Sequence, residues 1–492
     1  MNPTHLRTES QSTADSIKAG SYAVFLHTGY RTAGTWLWSC FRRLDTVTAY
    51  YEPLHEMLAT IDAAKIASST AESWHSGHPS LGMPYFQEFA HLLPPGTSGA
   101  GSVSTTAIGT TIGTAIRTGV PGYEPRFAID RFDGQIPAGA ERMVDYLHSL
   151  IREAHQQGRV PVIKFCRSLG RLRWFRAAFP EAAHIVVEKN PISQWQSCWQ
   201  LFVAHRNPHF IAVPLAVLAM NADVPLARQT MEALKIDLPR AWRDSRELGA
   251  SPDPTGASAR EFESCIDFYK EHVQSLSPAQ AYRGFLAHWL LTLRDAATQA
   301  DAIFDCDLAA RSPAYLEGAE RWLEELTGLS PSLGSVQREV SAERGCGFDP
   351  VEGLQIHLDA ARLGRDLVRN GSVEADALSL WTSKLAQATQ VMAFGAAANW
   401  PRARMPDGRA TRMVDVALID GAGIDTVLHS ELTATRAALA DVKGQLARVH
   451  NSPLWRMLGP LRKLYGANRR RRARGTAGPH ASATARPGKP SA

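Results

Sequence analysis

A chain of 492 residues with 44% hydrophobic side chains has room for one large α/β domain and a smaller C-terminal addition. Its formal charge of +5 is modest for that length, and the run RRRRAR at 469–474 carries much of the basic excess, so the body is not patterned as a specific nucleic-acid-binding surface. Six widely spaced cysteines, Cys40, Cys166, Cys198, Cys265, Cys306 and Cys346, include no CxxC pair; they suggest buried thiols in a reducing compartment and no metal site.

Residues 1–20 are polar, lack the apolar stretch of a signal peptide and read as disordered. Next, YAVFLHTGY begins as a buried strand and TWLWSCFRRL has the spacing of a helix packed on one face; between them Gly29 and Gly34 mark a tight loop. Strand, loop and helix in that order open a parallel α/β arrangement. Residues 95–124, rich in Gly, Thr and Ser, read as an exposed insertion.

A helix is predicted from Ala140 to Gln157, a strand at Pro161–Cys166, a short helix at Arg171–Phe179, a buried strand at His184–Val187 and a helix at Ser193–Phe202. The apolar run FIAVPLAVLAM at Phe210–Met220 is too short to span a bilayer and contains Pro214. Long helices fill 261–298, AIFDCDL reads as a strand, and SPAYLEGAERWLEELTGL reads as a helix closed by Gly328. The fold class expected is therefore α/β, a three-layer parallel sheet with flanking helices spanning 21–330, followed by a mainly helical extension at 331–428.

Near the C-terminus, 429–450 has the apolar spacing of an amphipathic helix or short coiled coil, through Leu432, Leu439, Val442, Leu446 and Val449. Residues 451–466 form a basic amphipathic segment, and 467–492 a disordered basic tail.

The loop carries the chemistry. An oxyanion held between a strand and a helix gains from converging N–H groups and from the positive end of the helix. Gly29 and Gly34 have the GxxxxG spacing of a nucleotide-binding P-loop, but Thr35 and Trp36 stand where its Lys-Ser/Thr pair belongs. That argues for phosphate binding without metal-dependent phosphoryl transfer.

RTAGTW at Arg31–Trp36 resembles the segment with which sulfotransferases hold the 5′-phosphosulfate of 3′-phosphoadenosine 5′-phosphosulfate. The resemblance implies a P-loop-NTPase-like sulfotransferase fold and gives roles by position: Arg31 is the basic residue, Thr32 the small hydroxylic one, Ala33 the glycine, Gly34 and Thr35 the Thr/Ser pair and Trp36 the aromatic. Ala33 and Gly34 depart from the pattern, leaving the backbone N–H groups of Gly34 and Thr35 as the contacts. IVVEKNPISQWQSCW at Ile185–Trp199 resembles the 3′-phosphate segment of the same family, with Lys189 in the arginine position and Ser197 as the hydroxyl. KFCRSLGRLRWFRAAFP is similar to a segment of a bacterial branch, in which Arg167, with Arg171 and Arg173 nearby, adds positive charge for the donor nucleotide or an acidic acceptor.

YYEPLHE at Tyr50–Glu56 resembles the Glu-Pro segment of carbohydrate sulfotransferases. It offers Glu52 as general base, with His55 and Glu56 as alternatives, and His27 is a lesser candidate for touching donor or acceptor. SPLWRMLGPLRKLYG resembles a tail segment of bacterial proteins that assemble surface polysaccharides.

Together these resemblances imply a cytoplasmic sulfotransferase that uses 3′-phosphoadenosine 5′-phosphosulfate as co-substrate, with no metal. Its acceptor would be a hydroxyl of a carbohydrate, glycolipid or cell-surface polysaccharide precursor. The partners expected are that acceptor and, through the C-terminal segment, the inner membrane surface or a polysaccharide enzyme. Two other readings stay open: a catalytically degenerate binding subunit of a polysaccharide assembly system, and a nucleotide-dependent phosphotransferase.

Overall fold

The structure is a computed structural model in which residues 22–74, 77–93, 119–132, 140–239, 257–334 and 345–394 are described. All of them lie in the first of two units, Met1–Leu418 and Ile419–Ala492. The expected N-terminal disorder at 1–20, most of the 95–124 insertion, the 429–450 helix, the 451–466 segment and the basic tail fall outside the described residues.

Five parallel strands form one sheet in the order β2-β3-β1-β4-β5: β1 Val24–Thr28, β2 Val47–Tyr51, β3 Val160–Phe165, β4 Ala183–Glu188 and β5 Ala302–Asp305. Every residue of β1, β2 and β4 is buried, so both faces of the sheet are covered, as an all-parallel sheet requires. Helices α1 (Gly34–Arg42) and α2 (Ala140–Gln156) flank it. α3 (Leu172–Ala178) leads into β4, and α4 (Pro191–His205) follows it.

The sequence expectations hold for β1, α1, α2, β3, α3, β4 and α4 to within a few residues. β2 is an addition: VTAYY alternates too little to announce itself, because all five side chains are buried. AIFDCDL divides in two. Asp305 ends β5 and its carboxylate accepts from Asp307 N at 2.8 Å and Leu308 N at 3.0 Å, so CDL begins the helix α9 (Cys306–Arg311) instead of extending the strand. α10 (Pro313–Thr327) ends on Gly328 with φ 69, as expected.

FIAVPLAVLAM lies in α5 (His209–Met220), a helix buried from Ile211 to Met220 with Pro214 inside it. Among the described residues no helix is long and apolar enough to cross a membrane. The far end of the 95–124 segment is docked: Gly119 N bonds Ile61 O at 3.2 Å, Val120 N bonds Leu58 O at 3.0 Å, and Val120 is buried. The exposed insertion of the sequence reading therefore stops short of these residues.

Helices α7 (Ala257–His272) and α8 (Pro278–Thr292) pack on α5, and α6 (Pro225–Ala233) packs on α8. The C-terminal helical region forms a hairpin, α11 (Pro350–Arg369) and α12 (Ala375–Phe394), with α11 against α8 and α12 against α4. His357 of α11 ties it in: its Nε2 meets Tyr282 Oη at 2.6 Å and its Nδ1 meets Thr389 Oγ1 at 2.9 Å, all three side chains lying in the interior.

β1 is central, with β3 on one side and β4 on the other. The chain leaves β1 for the edge strand β2 and later crosses back over it from β3 to β4. Open α/β sheets hold ligands outside the carboxyl ends of their strands at such a reversal. The loop after β1 sits there.

Candidate functional site

The loop 29–33 is shaped by left-handed backbone at Arg31 (φ 62) and Ala33 (φ 68). Left-handed residues within a turn direct successive N–H groups towards one concave side, which makes an anion cradle. Ala33 is the N-cap of α1 and no side chain caps that end; its carbonyl accepts from Trp36 N at 3.0 Å and Leu37 N at 3.2 Å. The N–H groups at the start of α1 have no acceptor in their own helix, and no acidic residue occupies its first turn.

Gly34 has a steric reason. A Cβ there would lie 2.4 Å from Thr28 Cγ2, so the first turn of α1 rests directly on the end of β1. Thr28 in turn donates to Phe165 O at 2.8 Å and fixes that end to β3.

The hydroxyls of the segment serve the loop itself. Thr32 Oγ1 donates to Gly29 O at 3.0 Å, and Thr35 Oγ1 meets Tyr51 Oη at 3.4 Å. Trp36 is buried, with its ring 6.0 Å from that of Phe304. This leaves the backbone and the Arg31 side chain as the polar groups of the loop not spent on holding its own turn.

Arg31 reaches the second sequence segment. Its Nε donates to Ser197 Oγ at 2.9 Å, its Nη2 donates to Gly77 O at 3.4 Å, and its guanidinium stands 5.2 Å from the Phe210 ring centre. Ser197 lies on α4, whose start is set by Asn190, with its Oδ1 accepting from Ser193 N at 2.9 Å, and by Pro191 in the first turn. Lys189 occupies the corner between β4 and that cap, its carbonyl accepting from Gln194 Nε2 at 2.6 Å and Trp289 Nε1 at 3.3 Å. Burial pushes the Cys198 thiol up to about 12 against the pull of Arg31 and Lys189, so both cations act on the same stretch of α4. A narrow crevice with about 10 Å³ of free space lies beside the loop, lined by Gly29, Tyr30, Thr32, Glu188, Gln194 and His288 among others.

A charged cluster lies next to this rim. Glu52 follows β2 directly in left-handed backbone (φ 44), and its N–H bonds Lys164 O at 2.8 Å. Its carboxylate pairs with Lys164 Nζ at 2.7 Å and Arg167 Nη1 at 3.6 Å, while Arg167 Nη2 meets Glu56 Oε2 at 2.6 Å. Burial raises the Glu52 carboxyl, but Lys164 and Arg167 outweigh it and hold the group well below the usual carboxylate range. Glu56 is likewise held down to about 2, burial opposing and Arg167 prevailing. A carboxylate so placed is a weak proton acceptor.

His55 is lowered, first by burial, and its Nδ1 accepts from Met57 N at 3.2 Å. Burial raises the Tyr30 phenol, and its electrostatic neighbours are Arg167, Cys166, Glu52 and Glu56, which brings the loop and the cluster together.

Two residues escaped the sequence reading. Lys164, inside PVIKFC, is signalled only by a charge within an apolar strand. His78 has no sequence pattern to mark it. Burial, then Arg31 and Lys164, lower it well below the ordinary histidine value against Glu52, and its ring lies 5.8 Å from that of Tyr85 and 6.3 Å from that of Phe210, the ring beside the Arg31 guanidinium.

Other candidates belong to the framework. His27 is fully buried, with Nδ1 2.8 Å from Ser168 Oγ and Nε2 3.0 Å from His184 Nδ1. His184 Nε2 lies 2.9 Å from Phe179 O, an acceptor only, so His184 Nδ1 accepts, His27 Nε2 donates and Ser168 donates to His27. His27 therefore joins strands and faces no ligand. Arg171 is buried on Asp130 (3.4 Å) and Phe127 O (3.0 Å), and Arg173, largely exposed, pairs with Asp295 (3.2 Å). Among the described residues no group of three His, Cys, Asp or Glu side chains is arranged to hold a metal ion.

Taken as chemistry, the rim offers a left-handed loop, the Arg31 guanidinium and the Ser197 hydroxyl, brought together from segments far apart in the chain. No family model, curated protein or solved structure matches this chain, and its site is read from its own residues.

Proposed function

We propose that the protein is a sulfotransferase, with a P-loop-like sulfotransferase fold, that moves a sulfuryl group from 3′-phosphoadenosine 5′-phosphosulfate to a hydroxyl. The observation that carries this reading is the 2.9 Å bond from Arg31 Nε to Ser197 Oγ, which joins the two segments that would grip the 5′ and 3′ ends of such a donor. Support also comes from the left-handed loop at the start of α1 and from Lys189 at the corner of β4.

In the reaction the acceptor oxygen forms a bond to sulfur as the bond from sulfur to the leaving 5′-phosphate oxygen breaks, in line. Negative charge grows on that phosphate, where Arg31 and the N–H groups of Gly34 and Thr35 would stabilise it. The acceptor proton needs a base. Glu52, His55 and Glu56 were the sequence candidates; Glu52 and Glu56 are bound up with Lys164 and Arg167, and their role in this scheme is to keep those cations in place. The imidazole of His78, held neutral within electrostatic reach of Arg31, is the proton acceptor of this scheme, although the lowered pKa that keeps it neutral also makes it a weak base. Carbohydrate or glycolipid hydroxyls are the acceptors proposed, from the sequence resemblance alone.

Calorimetric titration with adenosine 3′,5′-bisphosphate, against ATP with magnesium, tests the donor. Preference for ATP and dependence on magnesium would replace this reading with a phosphotransferase. The ion-paired state of Glu52 favours a second reading, a binding subunit without turnover. Transfer of labelled sulfate to a cell-envelope extract separates the two.

A further inference from the structure

Lys384 projects from α12, in the C-terminal helical region, to the carboxyl ends of β4 and β5. Its Nζ lies 2.5 Å from Glu188 Oε1, 2.7 Å from Asp305 Oδ2 and 3.3 Å from Asp307 Oδ2. The side chain is only 3% exposed. Glu188 and Asp305 are the last residues of their strands and are paired in register. Three carboxyl groups therefore share a single buried ammonium. Burial, with Asp305 and Asp307 adding to it against Lys384, raises Glu188 well above the usual carboxylate range, and removing the ammonium would leave the Asp305 and Asp307 carboxylates uncompensated in the interior.

Asp307 also holds the other half of the anion site. Its Oδ2 accepts from Asn190 N at 2.6 Å and its Oδ1 from Asn190 Nδ2 at 2.7 Å. Asn190 uses its own Oδ1 to cap α4 through Ser193 N and donates from Nδ2 to Ser193 Oγ, each at 2.9 Å. Lys189 immediately precedes that cap, and Ser197 lies one turn beyond Ser193. An unbroken chain of polar contacts thus runs from Lys384 through Asp307 and Asn190 to the segment carrying Lys189 and Ser197.

We propose that Lys384 is a positioning residue of the nucleotide site. By bonding Glu188, Asp305 and Asp307 together and offsetting part of their charge it fixes Asn190, and through Asn190 the places of Lys189 and Ser197, so the α11–α12 hairpin is a working part of the site. This inference rests on the proposed function, in which Lys189 and Ser197 take the 3′-phosphate. Lys384 itself touches no ligand.

The test compares adenosine 3′,5′-bisphosphate with adenosine 5′-phosphate by calorimetry, in the full chain and in Lys384→Met and Asp307→Asn, with folding followed by circular dichroism. Asp307→Asn is the milder change: it removes one charge from an over-negative cluster and weakens the grip on Asn190, because an amide offers a single acceptor oxygen. The expected result is a wild-type preference for the bisphosphate that falls about tenfold in both variants, with monophosphate affinity within about twofold of wild type, a loss the size of one hydrogen bond to a charged group.

An unchanged preference in the folded variants, or an equal loss for both ligands, overturns the proposal. If Lys384→Met does not fold, Asp307→Asn decides alone. A wild-type protein that does not distinguish the two nucleotides overturns the assignment of Lys189 and Ser197, and this inference with it, before any variant is compared.

Discussion

The carboxylate of Glu52 and the ammonium of Lys164 lie 2.7 Å apart, and both side chains are almost fully buried. They extend from β2 and β3 where Tyr51 pairs with Lys164. Opposite charges in so dry a place hold each other in the charged state, and removing one leaves the other without compensation. Glu52→Gln should therefore lower stability by about 3–5 kcal/mol in denaturant unfolding. Unchanged stability with abolished transfer would return Glu52 to the role of base.

The proton acceptor is predicted to be His78. His78→Asn should reduce sulfuryl transfer by about 10²–10⁴-fold, the range for a lost general base. Binding of adenosine 3′,5′-bisphosphate should stay within a few fold of wild type. A variant that keeps its turnover excludes His78.

Two neighbouring substitutions in the loop should act in opposite directions. Ala33 holds a left-handed conformation that favours glycine, so Ala33→Gly should stabilise the protein by about 1 kcal/mol. Gly34→Ala places a methyl group against Thr28 and should destabilise it by about 1–3 kcal/mol. Denaturant midpoints read both signs, and a stabilising Gly34→Ala would refute the close seat of α1 on β1.

Acid should weaken the fold through its buried neutral histidines. Burial lowers His209 to about 4 and His288 and His357 to about 3. Each is below its unfolded value of about 6.5, so the unfolded chain binds more protons as pH falls. Their contribution is fully present above pH 6.5 and is lost as pH drops through 6.5 towards 4 for His209 and towards 3 for His288 and His357, at up to about 1.4 kcal/mol per pH unit for each. His357→Gln, at the junction of α8, α11 and α12, should flatten that slope by one histidine's share. An identical acid profile would show that His357 is not held neutral.

Much of the scaffold was legible because its signals are local. Apolar runs bounded by Gly, Pro and Asn mark β1, β4 and the corner at Lys189–Asn190–Pro191, and the order of those segments suggested that they meet. What stayed hidden depends on partners distant in sequence. Lys164 is intelligible only beside Glu52, and Lys384 only beside Glu188 and Asp305. Gly34 looked like a lost hydroxyl until Thr28 was seen beneath it. Cys306–Leu308 looked like the end of a strand because the bonds to the Asp305 carboxylate that start α9 depend on backbone geometry two and three positions ahead.

The most direct measurement is the titration of adenosine 3′,5′-bisphosphate, without magnesium, into wild type, Arg31→Ala and Ser197→Ala. Each replacement removes a charged or charge-assisted hydrogen bond of about 1.5–3 kcal/mol, so each should weaken binding about 10- to 100-fold. A wild-type protein that does not bind the bisphosphate, or variants that bind it as tightly as wild type, would contradict the shared site of Arg31 and Ser197.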